Sequence, residues 1–177
     1  MDWSIINLPI PVATFILGWL VSRYTLTKTD KKKLEQEYFR NSQELRQNHD
    51  TLYREYAEAI RAYTECDGEP TFAQFYEIAV KGDRYFGHMN VVADAILSDK
   101  VDRQIRDSTF VPGICKAASV SLPRHYDVLQ AIAKKKGFSY SGELDRTNFG
   151  SLYAVAEKYG HECERLHTGV ATGESAA

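Results

Sequence analysis

Arg84 and His88 lie one helical turn apart in the sequence RYFGH. Side chains four positions apart on a helix project from the same face. An imidazole transfers protons near neutral pH and a guanidinium binds phosphate, so this pair has the groups needed to cleave an RNA backbone. Arg84 and His88 are therefore the catalytic candidates of the sequence. The alternative is a pair on the protein surface that has no catalytic role.

Other groups that could perform chemistry are few. The sequence contains no P-loop, no G-x-G-x-x-G, no G-x-S-x-G and no H-E-x-x-H. Arg124 and His125 are adjacent and should diverge on a helix. His161, Cys163 and His167 in GHECERLH come closest to a metal-ligand cluster, but no second cluster accompanies them. We predict neither a metal nor another cofactor, and a non-enzymatic role is the more consistent one.

Composition and charge narrow the classes of protein further. The 177 residues are 44% hydrophobic and 12% aromatic, which is typical of a folded chain rather than a disordered one. The net charge of -2 argues against a protein that coats nucleic acid, and no DNA partner is predicted. Cys66, Cys115 and Cys163 form no C-x-x-C pair, a pattern that favours reduced thiols over a disulfide framework.

An uncharged apolar run occupies residues 3–21 and is followed by basic residues. As a helix this run would measure about 28 Å, close to the hydrocarbon thickness of a bilayer. A cleaved signal peptide has the opposite order, with its positive charges first, and a buried core helix is the remaining alternative. We therefore predict a transmembrane anchor over residues 1–24, with the rest of the chain in the cytoplasm by the positive-inside rule. The basic residues are Arg23, Lys28, Lys31, Lys32 and Lys33.

One face of the predicted anchor is polar or small. Its members recur every three or four positions, and the small residues among them would let two helices approach closely. This face indicates an oligomer, and several copies could surround a pore, although short spans also acquire such residues by chance. The predicted oligomer or pore face consists of Asn7, Pro11, Thr14, Gly18 and Ser22.

A long helix is predicted next, over residues 25–66, because this stretch has no glycine or proline. Asn41 and Asn48 lie in its apolar seam, where polar residues can fix the register of a coiled coil. Packing of this helix on its own domain is the alternative, preferred for its second half. The apolar residues of the seam are Leu34, Tyr38, Leu45, Leu52, Tyr56, Ala59 and Tyr63.

Residues 67–168 read as a small cytoplasmic helical domain, and residues 169–177 as a flexible tail. Thr71 should cap the first helix of the domain, which Gly82 and Asp83 should kink or end. STFVPGIC should form a turn. Ser121 should cap a further helix that stops at Gly137, because glycine readily adopts the left-handed conformation of a helix terminus. No run alternates with period two, so the predicted class is all-α.

This architecture resembles the small membrane accessory proteins of type VI-B CRISPR systems, which assist an RNA-guided RNase in antiviral defence. The resemblance rests on the short N-terminal span, the lysine-rich flank, the long helix and the small helical domain. It implies a HEPN-like domain, assembly into a membrane pore and a bacterial inner-membrane location. The family's Arg and His are separated by four to six residues, whereas three lie between Arg84 and His88. The resemblance therefore implies a membrane role rather than a nuclease.

Three functions follow as expectations. The first is an oligomeric inner-membrane effector of antiviral defence that perturbs or permeabilises the membrane. The second is a membrane-anchored helical scaffold that binds another protein, and the third is a membrane-tethered RNase of HEPN type. The expected partners are the lipid bilayer, further copies of the chain, and an RNA-guided RNase system or its RNA products.

Overall fold

The structure, a computed structural model, describes the backbone of residues 10–160 and the side chains of residues 27–160. All regular elements in that range are helical and none is a strand, which confirms the predicted all-α class. The chain divides into two units, Met1–Phe39 and Arg40–Ala177. Among the described residues, no helix is both long enough and apolar enough to cross a membrane. The side chains of the predicted anchor, and the whole predicted tail, lie outside the described residues.

Helix α1 runs from Ile10 to Thr64. It therefore includes nearly all of the long helix predicted over residues 25–66, and it ends where CDGEP supplies helix-breaking residues. In the unit Arg40–Ala177, α1 packs on the domain rather than standing apart from it. Ser42 is fully buried, and its hydroxyl accepts a 2.8 Å hydrogen bond from the Asp102 amide.

Helix α2 spans Phe72–Leu97, and its start is the one predicted from the sequence. Thr71 and Gln74 form a reciprocal capping box, which satisfies amide groups that have no partner inside the helix. The prediction that Gly82 and Asp83 would end this helix is wrong. The helix continues through Gly82, whose missing side chain makes room for the imidazole of His125.

Residues 103–136 form a nearly continuous helical run. Helix α3 (Arg103–Ile105), helix α4 (Val111–Lys116) and helix α5 (Leu122–Lys136) are joined by π-helical turns over Arg106–Phe110 and Ala117–Ser121.

Two sequence predictions for this run are wrong and one is confirmed. STFVPGIC does not form a turn, because Pro112 lies at the start of α4, where its missing amide is tolerated. Ser121 makes no capping hydrogen bond, since the preceding π turn already continues into α5. Gly137 ends α5 with φ +70°, as expected.

The last described helix, α6, spans Gly150–Lys158 and follows a 3₁₀ turn at Arg146–Phe149. It packs on α2, and the Asn90 side chain accepts a 2.9 Å hydrogen bond from the Leu152 amide near the start of α6. The core of the domain includes Phe86, Ile114, Leu122, Leu152 and Val155.

Cys115 differs from the expectation of reduced thiols. It is buried on α4 and is disulfide-bonded. Cys66 is a free thiol at the end of α1.

Candidate functional site

Arg84 and His88 lie on α2, and the structure directs their side chains to separate points of α1. The Arg84 guanidinium is 3.4 Å from the Glu55 carboxylate, which also accepts a 2.9 Å hydrogen bond from Lys81. This hydrogen bond from Lys81, together with the charges of Lys81 and Arg84, lowers the pKa of Glu55. The His88 imidazole donates through Nε2 to the Leu45 carbonyl at 3.0 Å. Both side chains thus make contacts between helices and do not converge on a shared substrate position.

The side chains of the predicted oligomer face lie outside the described residues. Asn7 is outside the described residues, and the side chains of Pro11, Thr14, Gly18 and Ser22 are outside them as well. Their arrangement on one face stays a prediction.

The two predicted register residues have different environments. The Asn41 side-chain amide donates a 2.9 Å hydrogen bond to the Lys100 carbonyl, so it is used within the domain. Asn48 is exposed. Its role in self-association stays a prediction.

A cavity of about 560 Å³ opens between the second half of α1 and helices α2, α4 and α5. This volume is within the range of roughly 300–1,000 Å³ that is typical of small-molecule sites. Phe86 and Leu129 in its wall are almost completely buried. Its other lining residues are mainly aromatic and branched aliphatic: Tyr53, Tyr56, Ile60, Tyr63, Thr64, Ile78, Tyr85, Lys116, Val120, Ser121, Arg124, His125, Val128 and Ile132.

The most unusual group in the cavity wall is His125, a histidine that is only 5% exposed. Its Nδ1 shares a 2.8 Å hydrogen bond with the Tyr56 hydroxyl. The rings of Tyr56, Phe86 and Tyr126 surround it, with centroids 5.2–5.3 Å from the imidazole centroid. His125 therefore lies in an almost closed aromatic cage.

Burial shifts the pKa values of both His125 and Tyr56. Removal of water lowers the pKa of His125 to about 4, an effect that the nearby Asp83 carboxylate partly opposes. Burial also raises the pKa of Tyr56 to about 12. Both groups are therefore neutral at neutral pH, and neither pKa lies near 7, where a general acid or base works best. The pair fits a role in shaping the cavity better than a role in proton transfer.

The other nitrogen of the imidazole, Nε2, is buried and has no hydrogen-bond partner among the described residues. A methyl group built on Gly82 would lie 2.5 Å from Nε2, closer than atoms pack in proteins. Because Gly82 has no side chain, the imidazole of His125 fits against α2 in the wall of the cavity.

Two cations lie at the border of the cavity, Lys116 on α4 and Arg124 on α5, and both are exposed. Among the described residues, no aspartate or glutamate lines this cavity. With His125 neutral, the formal charge of the lining is therefore positive. A cavity with an apolar interior and a cationic border can bind a ligand with an apolar body and an anionic group.

The sequence named neither Tyr56 nor His125 as a site residue. The sequence pattern places Tyr56 in the apolar seam of α1 and His125 beside Arg124, with no site role for either. One signal could have located the site. An isolated glycine inside an otherwise regular helix, here Gly82, often marks the close approach of another group.

Comparison of the chain with known protein families, with curated proteins and with solved structures finds no match. Within the described residues, no group of three or more His, Cys, Asp and Glu side chains is arranged to hold a metal ion. The candidate site is therefore defined by its own geometry: an aromatic cavity, a buried Tyr56–His125 pair and two cations.

Proposed function

We propose that this protein is a single-pass effector of the bacterial inner membrane in CRISPR-type antiviral defence, and that it perturbs or permeabilises the membrane as an oligomer. Its helical domain, HEPN-like in this proposal, lies in the cytoplasm and acts as a binding module. The observation that carries the proposal is the uncharged run at residues 3–21 with a basic flank behind it. The defence role rests on the architectural resemblance alone.

Support for self-association comes from the anchor rather than from α1 beyond it. Asn41 is engaged with Lys100 inside the domain, so it is not needed to set the register between copies. The small residues Thr14, Gly18 and Ser22 remain as a surface on which anchors could pack. A single span cannot line a pore, so permeabilisation requires several copies.

An RNase of HEPN type is the least supported of the three functions. Arg84 contacts Glu55 and His88 contacts the Leu45 carbonyl, so both candidates already have structural partners. The spacing of the two residues also departs from the family pattern. RNA products of an RNA-guided RNase remain a proposed partner of the helical domain, without cleavage by this chain.

The first test is expression of the full chain in bacteria, with carbonate extraction of membranes and a potential-sensitive dye. We expect the protein to stay in the membrane pellet and the membrane to depolarise. Gly18→Leu should abolish depolarisation, because leucine would separate the packed anchors. The control is Ala13→Leu, the same kind of enlargement on the opposite face of the helix. Release by carbonate would refute the anchor, and equal effects of both variants would refute the packing face.

The molar mass in mild detergent, corrected for detergent, tests the oligomer directly. A discrete assembly of several copies is the expected result. A monomer that stays in the membrane without depolarisation would favour the alternative, an anchored scaffold for another protein. One observation favours that alternative: Phe72 and Tyr76 on α2 are 46% and 54% exposed, with ring centroids 6.1 Å apart. Such exposed aromatic pairs are typical of protein-binding surfaces.

A further inference from the structure

We propose that the cavity of the helical domain is a binding site for a small aromatic acid, a molecule with a planar apolar body and one carboxylate. This proposal rests on the proposed role of the helical domain as a binding module. It is independent of whether the anchor forms a pore.

The interior of the cavity selects a planar apolar body. Phe86 and Tyr85 meet edge to face at 5.0 Å, and Tyr56 stacks on Tyr85 at 5.9 Å. Leu129 and Ile78 on the adjoining walls add aliphatic surface that is almost entirely buried. Aromatic rings prefer edge-to-face and offset contacts with other rings, so these walls favour an aromatic ligand.

At the Tyr56–His125 pair, the cavity wall does not suit a strongly hydrogen-bonding ligand. The Tyr56 hydroxyl and His125 Nδ1 already satisfy each other. Nε2 of His125 faces Gly82 on α2, where a side-chain carbon would lie only 2.5 Å from it. A ligand body with many donors and acceptors would therefore lose hydrogen bonds to water without replacing them.

The border of the cavity selects the charge of the ligand. Arg124 and Lys116 line it, and neither forms an ion pair or a side-chain hydrogen bond with any other residue in the described part of the chain. Two other lysines of the domain do have acidic partners, Lys81 with Glu55 and Lys136 with Glu69. A guanidinium binds a carboxylate through two parallel hydrogen bonds, so Arg124 binds the carboxylate of the ligand. Lys116 adds positive potential around it.

The test uses the full chain in nanodiscs of zwitterionic lipid, with 6-fluoro-2-naphthoate as the probe. The ¹⁹F line width of the probe reports binding, and empty nanodiscs give the background. We expect saturable binding with a Kd on the order of 1 mM or tighter, as for a ligand of this size. The neutral amide, 6-fluoro-2-naphthamide, should bind about tenfold more weakly, because it lacks the charge. Equal affinity for acid and amide, or no saturable binding above empty discs, would overturn the proposal.

Variants locate the probe within the cavity. Arg124→Gln should weaken binding about five- to tenfold and Lys116→Gln about two- to threefold. The matched control is Lys135→Gln, which removes a charge from an exposed position of α5 outside the cavity and should change nothing. Val128→Trp, at an exposed position in the lining, should fill the cavity and abolish binding while the helical circular dichroism stays intact. Equal weakening by Arg124→Gln and Lys135→Gln would also overturn the proposal.

These outcomes are separable from those of the proposed function. Depolarisation and carbonate extraction report on the anchor, whereas probe binding reports on the cavity. If the protein still depolarises membranes but does not bind the probe, the aromatic-acid site is refuted. The proposed membrane function is not affected by that result.

Discussion

The hydroxyl of Tyr56 on α1 and Nδ1 of His125 on α5 are 2.8 Å apart, although 69 positions separate these residues in the sequence. This hydrogen bond joins α1 to α5 in the wall of the cavity. Around it, Phe86 and Gly82 of α2 complete the contact. Three helices of the domain therefore meet at one polar contact inside an aromatic cluster.

Loss of the Tyr56 hydroxyl should destabilise the domain. Tyr56→Phe keeps the ring contacts with Phe86 and His125 but leaves Nδ1 of a buried imidazole without a partner. A buried polar group left unsatisfied costs about 1–3 kcal/mol. Urea unfolding of the full chain in mild detergent, followed by circular dichroism, measures the change.

The matched control is Tyr53→Phe on the same helix. Tyr53 is 56% exposed, so loss of its hydroxyl should change the free energy of unfolding by less than about 0.5 kcal/mol. Equal effects of the two substitutions would contradict a special role for the Tyr56–His125 hydrogen bond.

Two glycines of α2 should respond in opposite directions to the same substitution. In Gly82→Ala the new methyl group would lie 2.2 Å from Cε1 of His125, so the imidazole must move out of its cage. Such overpacking costs about 1–3 kcal/mol. Gly87 has no atom within 4 Å of the corresponding position, and Gly87→Ala should stabilise the helix by about 0.5–1 kcal/mol.

Thermal unfolding of the two variants side by side measures this difference. Because both changes add one methyl group within the same helix, helix propensity cancels in the comparison. A Gly82→Ala protein as stable as Gly87→Ala would show that His125 does not need the close approach to α2.

The all-α class and several helix ends were predictable because they depend on local chemistry. Thr71 caps α2 as predicted, within a capping box that it forms with Gln74, and Gly137 ends α5 in the left-handed conformation that glycine allows. At Gly82 the prediction failed because a distant residue decided the outcome. Gly82 has the sequence pattern of a break, yet His125 occupies the space beside it and the helix continues.

The candidate site was harder to predict than the helices, because its residues come from separate helices. Tyr56 and His125 are ordinary members of apolar helix faces in the sequence, and only packing makes them a pair. The interpretation of Arg84 and His88 relied on spacing alone, and spacing does not reveal that Glu55 and the Leu45 carbonyl are within reach. The fold class thus follows from local patterns, whereas the site follows from tertiary contacts.

Arg84 and His88 should behave as structural residues. His88→Ala removes the hydrogen bond to the Leu45 carbonyl and should lower the free energy of unfolding by about 1 kcal/mol. Arg84 is exposed, and Arg84→Ala should cost less than about 1 kcal/mol because surface ion pairs contribute little. Neither variant should change the cleavage of single-stranded RNA, measured with purified protein against a labelled oligonucleotide. If the parent chain cleaves RNA and each substitution abolishes that cleavage, the result would support the RNase hypothesis.

The buried imidazole should also make the stability of the domain depend on pH. The pKa of His125 falls from 6.5 in an unfolded chain to about 4 in the folded domain, so below pH 6.5 the unfolded chain binds the additional proton. The contribution of neutral His125 is therefore complete above pH 6.5 and is lost as the pH falls toward 4. Between pH 7 and pH 5 the free energy of unfolding should drop by about 2 kcal/mol from this group alone.

Unfolding in urea at several pH values measures this drop, and His125→Phe provides the control because phenylalanine fills the cage without titrating. That variant should show a flatter pH dependence over the same range. The carboxylates with lowered pKa values, Glu55 and Asp145 among them, lose their contribution only at more acidic pH, since their ordinary values already lie below 5. NMR of the imidazole nitrogens gives an independent measurement. A His125 ring that titrates near pH 6.5 in the folded protein would contradict the closed aromatic cage.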